Sequence, residues 1–221
     1  MEPWLEQFAK TFFQRSLDTA HDLKTPLNVA VLNLELLRLR LARLKEEENG
    51  EKISTYAAAV ETELRRMAQI FDAFFLLAVP PKGEGDPLAV DMASLCREVA
   101  GSAEFDFALE GPVMVRCHES RMRQALKLFF DGAKRLLKEE GREASADVSH
   151  GTLRVTVSGS PEAADFELTK IFKFYFTDAR GNPDLAMATA RLIVETYGGE
   201  LNAVQERDKV TIRVSLPQGD R

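Results

Sequence analysis

The pair His21-Asp22, followed by Thr25 and Pro26, is the part of this 221-residue sequence best equipped for chemistry. An imidazole changes its protonation near neutral pH, and a carboxylate on the next residue can accept a proton or hold one tautomer. Thr25 lies four residues on, so on a helix its hydroxyl shares a side with His21. Pro26 removes a backbone hydrogen bond, and its ring clashes with the carbonyl of Asp22 four residues back. A lone histidine is more often an ordinary surface residue. A costly kink beside it points to a helix bent for a purpose.

The elements that must position these residues are helical. Apolar residues fall at Ala20, Leu23, Leu27, Ala30, Leu34, Leu37, Leu41 and Leu44, with spacings that alternate three and four. That is a heptad seam, and His21 lies just outside it, on the solvent side. Asn49-Gly50 predicts a turn. The seam resumes at Ala57, Val60, Leu64, Met67, Phe71 and Phe74, completing a helical hairpin. One hairpin cannot cover its own apolar stripe. A second copy would do so, giving a four-helix bundle in a homodimer; the alternative is that the C-terminal half covers it. Trp4, Leu5, Phe8 and Phe12 form an amphipathic start, read as an extension of the first helix or else as a partner or membrane-surface contact.

The run Pro80-Pro81-Lys82-Gly83-Glu84-Gly85-Asp86-Pro87 breaks any helix and reads as a linker. The expected division is therefore a hairpin over 1–79, a linker over 80–87 and a second domain over 88–221. Beyond the linker, strands are expected near 88–90, 113–116, 146–148, 153–157, 201–204 and 210–216. Helices are expected at 92–100, 120–139 and 183–197, the last stopped by Gly198-Gly199. This is an α+β domain, with helices on one face of a mixed sheet.

Composition narrows the function. The net charge of -6 argues against a nucleic-acid partner. No apolar run reaches the ~18 residues of a membrane span, and the first residues do not read as a signal peptide. Cys96 and Cys117 have no CxxC spacing and read as reduced thiols of a cytoplasmic protein. His118 and His150 lack neighbours at metal-ligand spacing, so no metal site is expected.

The stretch from Ser16 to Leu27 resembles the phosphoacceptor box of two-component histidine kinases: His, acidic, apolar, basic, Thr or Asn, Pro, apolar. All seven positions match from His21 to Leu27. The resemblance implies that His21 takes phosphate on a ring nitrogen, that Asp22 assists proton removal, and that Thr25 helps position water when a partner is dephosphorylated. It also implies that the bundle face around His21, with Lys24 and Asn28 in support, docks response-regulator receiver domains.

The C-terminal half resembles that family's ATP-binding domain, for which an α/β sandwich is expected. Residues 120–126 look like its first long helix, 171–175 like its phenylalanine box, and 190–201 like its last helix and following strand. The nucleotide motifs fail. Leu128 and Gly132 stand where the family expects asparagines, the second a magnesium ligand, and neither side chain offers the oxygen a hard cation needs. Asp131 is adjacent but about 100° around the helix. Ser158-Gly159-Ser160-Pro161-Glu162 replaces the adenine-binding Asp-x-Gly-x-Gly. Gly181-Asn182-Pro183-Asp184-Leu185-Ala186-Met187 replaces a glycine-rich phosphate turn; proline has no N–H to give, and Asp184 repels phosphate. The segment before it is short for a lid. No cofactor is therefore expected.

These observations make the leading expectation a dimeric histidine phosphotransferase, relaying phosphate between receiver aspartates through His21. Two others stand beside it: a divergent ATP-dependent sensor histidine kinase, and a non-catalytic receiver-binding regulator or phosphatase. Nucleotide binding separates the second from the first, and dependence on His21 separates the third from both.

Overall fold

The computed structural model describes residues 27–28, 30–39, 48–78, 85–162, 168–173, 176 and 184–219, with side chains in the second helix described over 53–73. The chain divides into two units, Met1–Val79 and Pro80–Arg221.

The first unit is helical. Residues 30–39 belong to α1, and α2 runs over Glu48–Ala78. The expected turn at Asn49-Gly50 is instead the opening of α2. Poor helix formers are tolerated there, because the first N–H groups of a helix have no intrahelical partner in any case. Of the seam positions, Leu27 and Ala57 are buried, while Leu37, Val60 and Met67 are exposed. A heptad pattern marks apolar positions without saying which neighbour covers them. The seam positions Ala20, Leu23, Leu41 and Leu44, and the amphipathic start, lie outside the described residues.

Glu61 is buried one position along from Val60. Its Oε2 accepts from Arg38 Nη1 at 2.6 Å, and its Oε1 from Arg65 Nη2 at 2.7 Å and Nε at 3.0 Å. Arg65 also pairs with Glu35 on α1. The Arg65 and then the Arg38 hydrogen bonds hold the Glu61 carboxyl below its ordinary value of 4.5. A depressed carboxylate adds stability above its unfolded value and loses it as pH falls through the folded one. In an acid titration followed by circular dichroism, the wild-type hairpin should lose helix below about pH 4.5. Glu61→Gln should be weaker at neutral pH by about 1–3 kcal/mol and show a flatter acid limb. Parallel acid limbs would refute the assignment.

The second unit is built on two antiparallel sheets. Strands β1 (Leu88–Asp91) and β2 (Met114–Cys117) pair alone, and β3 (Glu143–Ser149), β4 (Thr152–Gly159), β5 (Glu200–Glu206) and β6 (Lys209–Pro217) form a sheet in the order β3-β4-β6-β5. Every pairing among the described residues is antiparallel, so the mixed sheet expected from sequence is not found among them. Local turns decide this. His150 and Gly151 both have positive φ (50° and 70°), and Arg207 at 54° marks the β5–β6 turn. Tight turns of this kind join antiparallel neighbours.

The sheet is one-sided. Leu153, Val155 and Val157 of β4 and Val210, Ile212, Val214 and Leu216 of β6 are buried, alternating with polar residues on the other face. The α-helices among the described residues of the unit are α3 (Met92–Ser102), α4 (Glu119–Leu136) and α5 (Ala186–Thr196), with one 3₁₀ turn at Leu168–Lys170. Asp91 caps α3, its Oδ1 accepting from Ala93 N and Val113 N, each at 3.1 Å. On α4, Met122, Leu126, Phe129, Phe130 and Ala133 fall at helical spacing and are fully buried. Each such large side chain contributes roughly 1.5–3 kcal/mol by leaving water. Cys96 is among the buried residues, and burial, then Asp91, pushes its thiol up to about 12, so it is inert at neutral pH.

Gly199 closes α5 onto the sheet. A Cβ there would lie 2.5 Å from Ser215 O, 2.7 Å from Leu216 Cδ2 and 2.8 Å from Val194 Cγ1. Backbone cannot yield as a side-chain tip can. Gly199→Ala should therefore lower the urea-unfolding free energy of the second unit by about 1–3 kcal/mol or more; an unchanged midpoint would contradict the packing.

Candidate functional site

His21, Asp22, Lys24 and Thr25 lie outside the described residues. The described chain begins just past Pro26, where Leu27 is helical and buried and Asn28 is helical and exposed. Asn28 is thus available to a partner of the first unit, while Leu27 faces the interior.

In the second unit the nucleotide question turns on α4 and α5. Gly132 is buried, and a Cβ placed on it would meet Met187 Cε at 3.0 Å and Ala186 Cβ at 3.5 Å. The position expected to carry a magnesium ligand is therefore a contact surface for a methionine. Leu128 is half-buried and offers no oxygen, and Asp131 is half-buried. No group of three or more His, Cys, Asp or Glu side chains suited to a metal occurs among the described residues. The residues after β4 are also committed elsewhere. Leu137 and Pro161 form a β-bridge, Lys138 N donates to Ser160 O at 2.9 Å, and Glu162 N donates to Leu136 O at 2.9 Å. Backbone atoms of this segment are spent on the end of α4. These residues do not fit a magnesium nucleotide held in the ordinary way.

Asp184 differs from its expected place. It precedes α5 rather than lying in its first turn, and its Oδ1 accepts from Ala186 N at 3.0 Å. The same carboxylate takes both prongs of Arg135, Nε to Oδ2 at 2.8 Å and Nη2 to Oδ1 at 3.0 Å. Sequence reasoning missed this pair, whose only local signal was an acid at a helix start. In the phenylalanine-box region, Ile171 is buried, and the Arg191 guanidinium stands 5.4 Å from the Phe172 ring centroid; Phe174 and Tyr175 lie outside the described residues. His118, unassigned from sequence, sits between the Tyr197 hydroxyl (2.8 Å from Nδ1) and the Gly85 carbonyl (3.0 Å from Nε2). The carbonyl can only accept, so Nε2 carries a proton, and the ring ties the start of the unit to the end of α5.

The family profile of the His Kinase A (phospho-acceptor) domain matches residues 17–79. Over those residues the chain is similar to the phospho-acceptor domain of two-component histidine kinases. Sporulation kinase D of Bacillus subtilis is 24% identical to this chain over 217 residues, covering 90% of this chain and 40% of the relative. Sensor protein CzcS of Cupriavidus metallidurans is 28% identical over 230 residues, covering 91% and 45%. Full-length ShkA, solved in complex with AMPPNP, superposes with a TM-score of 0.56 at 20% identity, covering 94% of this chain and 46% of that one. Histidine kinase ThkA, solved in complex with the response regulator protein TrrA, gives 0.58 at 18% identity, covering 98% and 66%. These two superpositions share the fold, a helical hairpin followed by an α+β domain. The chain spans about half the length of the curated relatives it matches, from 40% to 53%.

The relatives correct the leading expectation. A histidine phosphotransferase relaying between receivers is overturned, because the proteins that align through both units are named a sporulation kinase and sensor proteins. Failed motifs describe individual side chains, whereas the alignment runs through 90% of the chain.

Proposed function

We propose that the chain is the phosphoacceptor and kinase-type core of a divergent sensor histidine kinase. The carrying observation is the likeness to sensor kinases through both units in order, with the phosphoacceptor profile over residues 17–79. In this reading the hairpin (1–79) carries the acceptor, residues 80–87 are the linker, and 88–221 is the kinase-type domain. His21 accepts the phosphoryl group, Asp22 takes the ring proton, and Thr25 orients the water that hydrolyses the acyl phosphate of a docked receiver. In onward transfer the N–P bond at His21 breaks as a bond to a receiver carboxylate forms, and Lys24 and Asn28 support the docked receiver. The solved complex of ThkA with a response regulator supports that class of partner.

The exposed apolar side chains Leu32, Leu36 and Leu39 on α1 and Ile53, Tyr56, Val60 and Met67 on α2 support a homodimer whose second hairpin covers them. A cytoplasmic location is supported by Cys96 and Cys117, two buried cysteines that form no disulfide. No helix among the described residues is long and apolar enough to cross a membrane.

The test is incubation with γ-labelled ATP and magnesium, then a chase with receiver domains. Acid-labile label that moves to a receiver is the expected result. A folded protein that takes no label yet speeds hydrolysis of a phosphorylated receiver would replace this reading with the receiver-binding regulator. The contact of Met187 with Gly132 favours that second reading, because it occupies the place of a magnesium ligand.

A further inference from the structure

Strand β3 (Glu143–Ser149) is an end strand of the sheet ordered β3-β4-β6-β5. It pairs with β4 in an unbroken register, from Glu143↔Ser158 to Ser149↔Thr152. Among the described residues no strand pairs with its other edge. An open edge offers a row of backbone N–H and C=O groups to any extended segment, and proteins commonly guard it with lysine, proline or a bulge. β3 has none of the three. Its side chains divide between two faces. Ala144, Ala146 and Val148 stand opposite Val157, Val155 and Leu153, on the buried face of the sheet. Val148 is nevertheless 41% exposed. Glu143, Ser145, Asp147 and Ser149 take the outer face. Both acids are already neutralised within the sheet, Glu143 by Lys209 at 3.5 Å and Asp147 by Arg154 at 3.3 Å.

The strand is complementary to itself. Laid antiparallel on a second copy about Ala146, it sets Ala144 against Val148, Ala146 against Ala146, Ser145 against Asp147 and Glu143 against Ser149. Apolar meets apolar on one face. On the other, each carboxylate meets a hydroxyl that can donate to it. The far edge of the sheet fails the same comparison. β5 (Glu200–Glu206) laid on itself along its full length sets Glu200 against Glu206 at both ends, and like charges directly opposite are destabilising. A two-fold contact requires the self-complementarity that β3 has and β5 lacks.

We propose that the β3 edge docks a second copy of this chain, joining two four-stranded sheets through antiparallel β3 strands centred on Ala146. The contact lies in the second unit and uses none of the hairpin residues assigned to the homodimer. A single strand pair is a small interface, so a covalent trap is the measurement that reads it.

The test is disulfide trapping in the full chain. On the two-fold axis the two Cα atoms of residue 146 would lie about 4.5–5.5 Å apart, within the span of a disulfide. Those of residue 144 would lie about 13 Å apart along the strands, outside it. After treatment with oxidised glutathione, non-reducing gels should show at least about tenfold more linked dimer for Ala146→Cys than for Ala144→Cys. Cys96 and Cys117 are 0% and 1% exposed and do not compete. The double variant Glu143→Cys/Ser149→Cys should also link, where neither single variant does, and covers the case in which Ala146→Cys does not fold. Charge supplies the sign. In either cysteine background, Ser145→Glu sets a carboxylate against Asp147 of the second copy and should lower the yield, and Ser145→Lys should raise it, each by about threefold. Asn202→Lys, which adds the same charge to β5, should leave the yield unchanged. Equal linking at 144 and 146, no linking in any folded variant, Ser145→Glu and Ser145→Lys moving the yield in the same direction, or a gain from Asn202→Lys matching that from Ser145→Lys would each overturn the contact.

Discussion

Replacing His21 with alanine is expected to abolish phosphoryl labelling of the protein and onward transfer to a receiver. Alanine has no lone pair to form the N–P bond, and no neighbouring side chain offers an equivalent ring nitrogen in sequence. The fall should reach the label background, about three orders of magnitude or more, equivalent to over ~4 kcal/mol of barrier. Asp22→Asn should retain the acceptor and lose the base, slowing labelling by about 10²–10⁴-fold. Acid-stability of the label and mapping by mass spectrometry would check both. Label that survives in His21→Ala would place the acceptor elsewhere. The other two histidines are His118, held between Tyr197 and Gly85, and His150, in the β3–β4 turn.

The largest expected effect on stability comes from Phe130→Ala. Phe130 is completely buried, and its ring lies 5.2 Å from that of Phe105, 6.2 Å from Phe107 and 5.0 Å from Phe129, centroid to centroid. Phe105 is in turn covered by the Arg142 guanidinium at 4.9 Å. Truncation would remove the shared member of three ring contacts and leave a cavity under α4. The expected loss is about 3–5 kcal/mol, a large part of the roughly 5–15 kcal/mol that holds a domain of this size folded. Urea unfolding of the full chain, followed by hydrogen exchange in β4 and β6, should show the second unit melting earlier. The helices of the first unit should keep their own midpoint. A loss under about 1 kcal/mol would mean that the cluster can collapse around the missing ring.

The local elements were legible because they depend on neighbours in sequence. Three-four spacing at 57, 60, 64, 67 and 71 predicts α2, and alternation at 153, 155 and 157 predicts β4. The stop at Gly198-Gly199 was also legible, and the structure adds why Gly199 tolerates no side chain: Ser215 O stands in the way. The burial of Glu61 in place of Val60 was not legible. A carboxylate can be buried only with partners, and those partners include Arg38, 23 positions away on the other helix. The functional expectation fails because the absent nucleotide motifs concern individual side chains, whereas the likeness to a sporulation kinase and a sensor protein runs through about nine-tenths of the chain.

By itself the sequence determined the likeness of His21 to Leu27 to a phosphoacceptor box, the helical character of the first unit, the α+β character of the second and the missing oxygen ligands at Leu128 and Gly132. Each is a property of residue type and local spacing. Only the tertiary structure decided that the strands are antiparallel in two sheets, that Met187 lies against Gly132, and that Arg135 closes on Asp184 across 49 positions of chain. Those contacts depend on how α4 and α5 pack on the sheet, a distance in space that no periodicity along the chain encodes.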